Sequence, residues 1–295
     1  MPSRVALVTG ASSGIGEATA QRLHGPGYVV YGLARRVDRM AGLDRIGVRT
    51  LAVDVTDEQA TAAAIEQIVA EQGRIDVLVN NAGYGSYGAV EDVPLSEARY
   101  QFEVNVFGLA RLIQLVLPHM RRQGSGRIIN ISSVGGKIYE PLGGWYHAAK
   151  FAVEGLSDSL RVELRPFGIE VVIIEPGAIH TEWGAISAQK LRQASAGTAY
   201  QNQAATMAAV LESFSALASS PSVIADTIAR AVTARRPRTR YVAGRGARTV
   251  ITARQLMPDR AFDAFITSGY RLAGQLATRQ QRAAEPAPER GATGA

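Results

Sequence analysis

The stretch Arg4-Val-Ala-Leu-Val-Thr-Gly-Ala-Ser-Ser-Gly-Ile-Gly16 decides how the rest of the chain is read. Its first residues form a short, almost uninterrupted apolar run, which suits a strand buried on both faces rather than one alternating between core and water. Three glycines follow at once, and a helical pattern opens behind them. Glycine permits a tight turn and lets a ligand approach the backbone, while the N-terminus of the new helix attracts a pyrophosphate. The spacing is Gly-x-x-x-Gly-x-Gly rather than the commoner Gly-x-Gly-x-x-Gly. Such a turn can be purely structural. Its place after the first strand, where open α/β sheets bind dinucleotides, favours a binding role.

The same alternation continues outward from that turn. Tyr28–Ala34, Val48–Val53, Ile75–Asn80, Arg127–Ser132 and Ile169–Glu175 read as strands, with helical spacing in Glu58–Glu71, Tyr100–Met120 and Tyr146–Leu164. Strand–helix–strand repeats imply right-handed crossovers, hence an α/β fold with a Rossmann-type, doubly wound parallel sheet in a single domain. After Pro176-Gly177 the texture changes. Residues 184–220 are rich in Ala, Ser and Gln and only weakly periodic, and we expect a mobile lid there. Ser220-Pro221 is a helix start leading into Ser222–Ala234. Arg240–Ala243 reads as a last strand, and Ala261–Leu276 as an amphipathic helix. The expected organisation is a dinucleotide-binding domain over residues 1–245, a helical extension over 246–282 and a disordered tail over 283–295.

Composition sets the outer bounds. No apolar run reaches the length of a membrane span, and the residues after Met1 lack the apolar core of a signal peptide, so a soluble, cytoplasmic protein is expected. The absence of cysteine excludes disulfides, thiolate metal ligation and thiol catalysis. His24, His119, His147 and His180 lack a shared ligand spacing, so no metal site is expected. The net charge of +6 is uneven. Residues 233–295 hold 12 arginines and four acids, so the remainder is slightly acidic. This basic segment is either solvated surface or a contact for nucleic acid or an anionic membrane face. Between Arg235 and Arg254 only Tyr241 is aromatic, which argues against a base-stacking platform.

Several residues carry chemistry. The second strand ends in Ala34-Arg35-Arg36. A carboxylate there would bond an adenosine ribose 2′-hydroxyl, whereas arginines suit a 2′-phosphate, so NADP is favoured over NAD. Asp54-Val55 ends the third strand, where a short carboxylate can accept from the adenine amine. The fourth ends in Asn80-Asn81-Ala82-Gly83, whose glycine lets the chain pass close to a cofactor. Tyr146 and Lys150 lie four apart and share a helix face, with Ser133 thirteen residues upstream at the end of the fifth strand. A lysine beside a phenol is expected to lower its pKa into general acid–base range, and the serine can bond a substrate oxygen. The Tyr84-Gly-Ser-Tyr87 loop is placed to wall a substrate pocket, and Trp183 reads as packing or lid.

With these residues assembled, the chain resembles the short-chain dehydrogenase/reductase family over about residues 3–245. The matching elements, in order, are Thr9-Gly10-x-x-x-Gly14-x-Gly16, Asp54, Asn80–Gly83, Asn105, Ser133, Tyr146-x-x-x-Lys150, and Pro176-Gly177 with Thr181. The resemblance implies a hydride transfer between NADP(H) and a carbonyl or alcohol. It makes Tyr146 the proton donor or acceptor, Ser133 the group polarising the carbonyl and Lys150 a holder of the nicotinamide ribose. It also has Asn105 anchor a water that links Lys150 to solvent. By the same resemblance the cofactor lies against Gly10, Ser12, Ser13, Gly14, Ile15, Gly16, Arg35, Arg36, Asp54, Val55, Asn81, Ala82, Gly83, Tyr146, Lys150, Pro176, Gly177, Ile179 and Thr181. The family's thirteen-residue spacing selects Ser133 over its neighbour Ser132. More loosely, Arg240–Gly244, Leu256–Arg260 and the added length are similar to the 17β-hydroxysteroid and retinol dehydrogenase-like subset, which implies a bulky apolar substrate. Two other readings stay open: a non-catalytic NADP(H)-sensing regulator, and a nucleic-acid or membrane-surface binder using residues 233–254.

Overall fold

A computed structural model describes residues 3–25 and 27–284, the side chains of 213–217 and 277–284 excepted. The elements, in chain order, are β1 (Arg4–Thr9), α1 (Gly14–His24), β2 (Tyr28–Ala34), α2 (Ala41–Arg45), β3 (Arg49–Ala52), α3 (Glu58–Gln72), β4 (Val77–Asn80), α4 (Leu95–Phe102), α5 (Gly108–Gln123), β5 (Gly126–Ile131), α6 (Gly144–Leu164), β6 (Ile169–Pro176), α7 (Trp183–Ala194), α8 (Gln201–Leu217), α9 (Pro221–Thr233), β7 (Arg240–Ala243), α10 (Ala247–Leu256) and α11 (Asp259–Ala284). The seven strands form one sheet in the order β3-β2-β1-β4-β5-β6-β7, every pair parallel.

Burial explains the unbroken apolar runs. Val5, Leu7 and Leu78 point into one core layer with α3, α5 and α6. Ala6, Val8 and Val79 point into the opposite layer with α1, α2 and α9. Both faces are covered, so neither set of alternating side chains can be polar. The strand order reverses between β1 and β4, and the crevice at their C-terminal ends is where such sheets bind ligands.

Local signals set the helix ends. Ser220 caps α9 through Ser222 N, with Pro221 at the first helical position. Asp57 caps α3, accepting from Ala60 N at 2.9 Å. One expectation is corrected: Tyr100–Met120 is not a single helix. A π-turn over Glu103–Phe107 separates α4 from α5 and buries Asn105. Such turns add a residue without disturbing the apolar spacing on either side, so periodicity alone misses them.

Residues 184–220 form most of α7, all of α8 and their connection. Their burial is wider than the composition indicated. Ser187, Ala188, Leu191, Ala204, Met207 and Ala208 are all buried, because small side chains let the two helices approach closely. The C-terminal amphipathic helix runs longer than expected, and α11 packs Phe262 and Ile266 against Ile138, with Val250 and Ala253 of α10 beside them. The expected tail falls, from residue 285 on, outside the described residues.

Among the described residues no helix is long and apolar enough to cross a membrane.

Candidate active site

The glycine turn after β1 is closed by its neighbours. Asn81 donates from Nδ2 to Thr9 O at 2.9 Å, and Thr9 Oγ1 accepts from both Asn81 N and Ala82 N at 2.9 Å. The Asn81 side chain therefore shapes the turn, and a Cβ on Gly10 would lie 2.8 Å from its Nδ2. A Cβ on Gly16 would overlap the Gly10 carbonyl, so neither position takes a larger residue. Ser13, extended at φ −169°, leads into α1 without spending its hydroxyl on the helix, and Ser12 is buried. Ile15 packs on the core. This is a cradle that a Cβ would fill, open to a pyrophosphate at the α1 N-terminus.

Arg35 and Arg36 end β2 as expected. Arg35 reaches Tyr100 Oη at 3.3 Å and stands 3.9 Å from Asp54 Oδ2. Asp54 uses its other oxygen on Thr56 N and Oγ1, and so builds the turn after β3. Val55 packs against Gly108. Sequence reasoning missed two partners here. Arg39 makes a two-pronged ion pair with Glu182 at 2.7 and 3.0 Å, and Arg36 stands 3.9 Å from the same carboxylate. Glu182 follows Thr181, whose Cγ2 would lie 2.9 Å from a Cβ on Gly14. The Pro176–Thr181 stretch therefore crosses from β6 to the glycine turn, anchored by Gly177 N to Ala243 O at 2.8 Å and by Ile179 in the core. Because Arg39 and Glu182 lie 143 residues apart, no local pattern announces the pair.

The catalytic candidates converge beside this crevice. Tyr146 and Lys150 project from one face of α6, both nearly buried. Lys150 Nζ donates to Ile131 O at 2.9 Å, tying α6 to the end of β5. Ser133 accepts from Gly135 N at 3.0 Å and lies close enough to the Tyr146 phenol to favour its charged form. Ser132, by contrast, is buried beneath Gly136, so the structure brings the hydroxyl of Ser133 to the tyrosine.

Electrostatics correct one expectation. Burial pushes the Tyr146 phenol up to about 12, Ser133 opposes that shift, and Glu140 adds to it. Lys150, whose ammonium is 6.0 Å from the ring centre and bonded elsewhere, is not the group that lowers it. Burial brings Lys150 itself down to about 8, with Glu154 opposing. Asn105 also has a different local role. Its amide accepts from Tyr84 N at 3.0 Å and donates to Tyr84 O at 2.8 Å, holding the chain after Gly83.

The substrate side was only partly foreseen. Tyr87 stacks 5.7 Å from Tyr146, while Tyr84 turns away to Tyr100 and Glu97. Trp183, the first residue of α7, lies 5.2 Å from the Tyr146 ring and 5.8 Å from Tyr87. His147 backs the phenol ring at 5.8 Å and bonds Gly135 O at 2.9 Å. Among the described residues no cluster could hold a metal. Within the basic C-terminal segment, Arg240 is spent on Glu154, Asp158 and Glu175, and Arg254 on Asp259. A cavity of about 850 Å³ that Arg240 lines sits at the β7 edge, away from Tyr146.

Residues 4–192 match the family described as short chain dehydrogenase. The chain belongs to the short-chain dehydrogenase family. It is thus a member of a family of oxidoreductases. It is 46% identical over 181 residues to 3-ketodihydrosphingosine reductase from Bacteroides thetaiotaomicron, covering 61% of this chain and 66% of that protein, just under two thirds of its length. It is 35% identical to the NADPH-dependent 3-dehydrocapnine reductase of Ornithobacterium rhinotracheale, covering 88% of this chain and 95% of that one. Human 17-beta-hydroxysteroid dehydrogenase type 1 is 40% identical across 61% of this chain and 58% of its own, in keeping with the subset resemblance. A short-chain dehydrogenase from Streptomyces avermitilis superposes with a TM-score of 0.72 at 32% identity, over 97% of this chain and all of the other. A metagenomic short-chain oxidoreductase solved with NADP gives 0.65 at 30% identity, over 81% and 96%.

Proposed function

We propose that this protein interconverts a carbonyl and an alcohol on a bulky apolar substrate, using NADP(H), with Tyr146 moving the proton. The observation that carries this reading is the meeting of Tyr146, Ser133 and Lys150 beside the glycine cradle. Bound in that cradle, the nicotinamide cofactor supplies or takes up the hydride. The chain's own residues do the rest. In reduction, the Tyr146 phenol donates its proton to the carbonyl oxygen as negative charge develops there, and the Ser133 hydroxyl holds that oxygen in line. Lys150 holds the ribose side of the cofactor, and the Asn105 side chain, bonded to Tyr84 N and O, holds the chain after Gly83 against it. The glycine turn, Asp54, Val55, Asn81–Gly83 and Pro176–Thr181 bind and orient the cofactor.

NADP is preferred because Arg35, Arg36 and Arg39 gather where a 2′-phosphate would lie, with no carboxylate at position 34. A relative named as NADPH-dependent and a neighbour solved with NADP support that preference. An apolar substrate is supported by the apolar cluster of Tyr87, Leu142, Trp183 and Met207 packed around Tyr146, and by relatives named for reducing 3-ketodihydrosphingosine and 3-dehydrocapnine. We take α7 and α8 as the lid: Trp183 covers the Tyr146 ring, so α7 must shift before a ketone reaches the phenol.

The test is a screen of the purified protein with NADPH and NADH against steroid, retinoid, long-chain and small ketones, and in reverse with alcohols. Turnover of at least one apolar ketone with NADPH is expected. Tight NADPH binding without turnover of any carbonyl or alcohol would overturn this reading in favour of a cofactor-sensing regulator.

A further inference from the structure

The loop before α6 carries a carboxylate that the reaction as described does not use. Glu140 accepts from Tyr87 Oη at 3.4 Å and lies close enough to Tyr270 of α11 to push that phenol's pKa up. Among the described residues no lysine, arginine or histidine forms an ion pair with it. Lys137, three residues earlier, is bonded to Glu154 at 2.8 Å. The field of Glu140 reaches the Tyr146 phenol and opposes formation of the phenolate. A negative charge that has no cationic partner among the described residues, beside a group that must itself lose a proton, hinders the proposed chemistry unless a cation joins it.

The surroundings suit such a cation. Tyr87, Tyr146 and Trp183 form a mutually packed aromatic set, with centroids 5.2 to 5.8 Å apart. Tyr270 joins the same cluster from α11. Aromatic rings around a carboxylate attract an ammonium through both ring quadrupole and charge.

We propose that Glu140, with Tyr87 and Tyr270, binds an ammonium carried on the substrate next to its carbonyl, so that the substrate is an amino ketone or amino alcohol with an apolar chain. This rests on the carbonyl–alcohol reading above and names the substrate class for it. The ammonium offsets the field of Glu140 at Tyr146, so the substrate itself completes the electrostatics of the proton transfer. The C-terminal extension enters the site through Tyr270, which gives α11 a role in choosing the substrate.

The test has a binding arm and a turnover arm. Dodecylamine and dodecanol are titrated into the wild-type protein while tryptophan fluorescence is followed, since Trp183 lies in the cluster. The amine should bind roughly tenfold to a hundredfold tighter, the range of a charge-assisted contact. Glu140→Gln should abolish that preference. Equal binding of the two by the wild type overturns the proposal, as does a preference that survives in a folded Glu140→Gln protein. Should the variant fail to fold, the wild-type ratio decides alone. In the turnover arm, NADPH consumption is compared for a long-chain amino ketone and the same ketone lacking the amine. A plain ketone reduced as well as the amino ketone, with no amine preference in binding, removes the ammonium site and leaves the carbonyl reading intact. Amine preference with no turnover of any ketone removes the carbonyl reading and leaves the site.

Discussion

Removing the phenol of Tyr146 and the hydroxyl of Ser133, singly and together, tests whether the two act as one unit. Tyr146→Phe keeps the ring and its packing on Tyr87 at 5.7 Å and Trp183 at 5.2 Å, so the fold should survive. Turnover should fall about 10²–10⁴-fold, the usual cost of losing a positioned acid. Ser133→Ala removes the one contact that opposes the burial-driven rise of the phenol to about 12. A hydrogen bond to a group that becomes charged contributes about 1.5–3 kcal/mol. Losing it pushes the phenol further up and should slow turnover about 10–100-fold, at about 1.4 kcal/mol per factor of ten. Ser133 also caps the short turn through Gly135 N, so its variant should melt slightly earlier. In the double variant the serine has no phenol left to act on. Its loss should then cost far less than it does in the wild type. Initial rates of NADPH consumption with a ketone identified by the screen supply the four corners of the cycle. Near-normal turnover of Tyr146→Phe would refute the mechanism. Fully multiplicative losses would show that Ser133 works on the substrate alone.

Other outcomes follow from the same geometry. Replacing Arg35 and Arg36 together with alanine should weaken NADPH roughly tenfold to over a hundredfold while sparing NADH; an unchanged ratio of the two affinities would mark the pair as ordinary surface. Glu182→Gln should do the reverse and tighten NADPH selectively in a titration, because Glu182 holds Arg39 and Arg36 and competes with a phosphate for them. Trp183→Ala removes two aromatic pairs of about 0.5–1.5 kcal/mol each, so amide exchange in α7 of the apo protein should rise about 5- to 150-fold. Wild-type α7 and α8 should slow on joint binding of NADP and substrate, and exchange indifferent to both variant and ligand would rule out a lid. Burial beside Glu154 raises the Glu175 carboxyl to about 7. Its proton is then held more tightly in the folded state, so the associated stability is full below the ordinary carboxyl value and lost as pH rises through about 7. Glu175→Gln should accordingly raise the melting temperature at pH 8 by roughly 2–4 °C, about 1 kcal/mol in a chain of this size, and much less near pH 4.5. Equal shifts at both pH values would refute that linkage.

The sequence by itself determined what depends on neighbours along the chain. Continuous apolar runs such as Val5–Val8 and Val171–Ile174 call for burial on both faces, and that requirement dictates a parallel sheet with helices on each side. The glycine turn, the Tyr146–Lys150 pair and the Ser220-Pro221 helix start are likewise local, fixed by backbone sterics and the helical repeat. Tertiary structure alone decided what those residues face. Asn105, which the family resemblance makes the anchor of a water, sits in a π-turn that directs its amide to Tyr84, a partner that only the fold supplies. Lys150 reads as the phenol's partner until Ile131 O claims its ammonium, leaving Ser133 to oppose the effect of burial on Tyr146. Glu182 meets Arg39, and Glu140 meets Tyr87 and Tyr270, across separations that periodicity does not span. Side-chain charge and hydrogen bonding act through space over a few ångströms, so the fold is legible wherever sequence neighbours are also spatial neighbours. Around Tyr146 they are not.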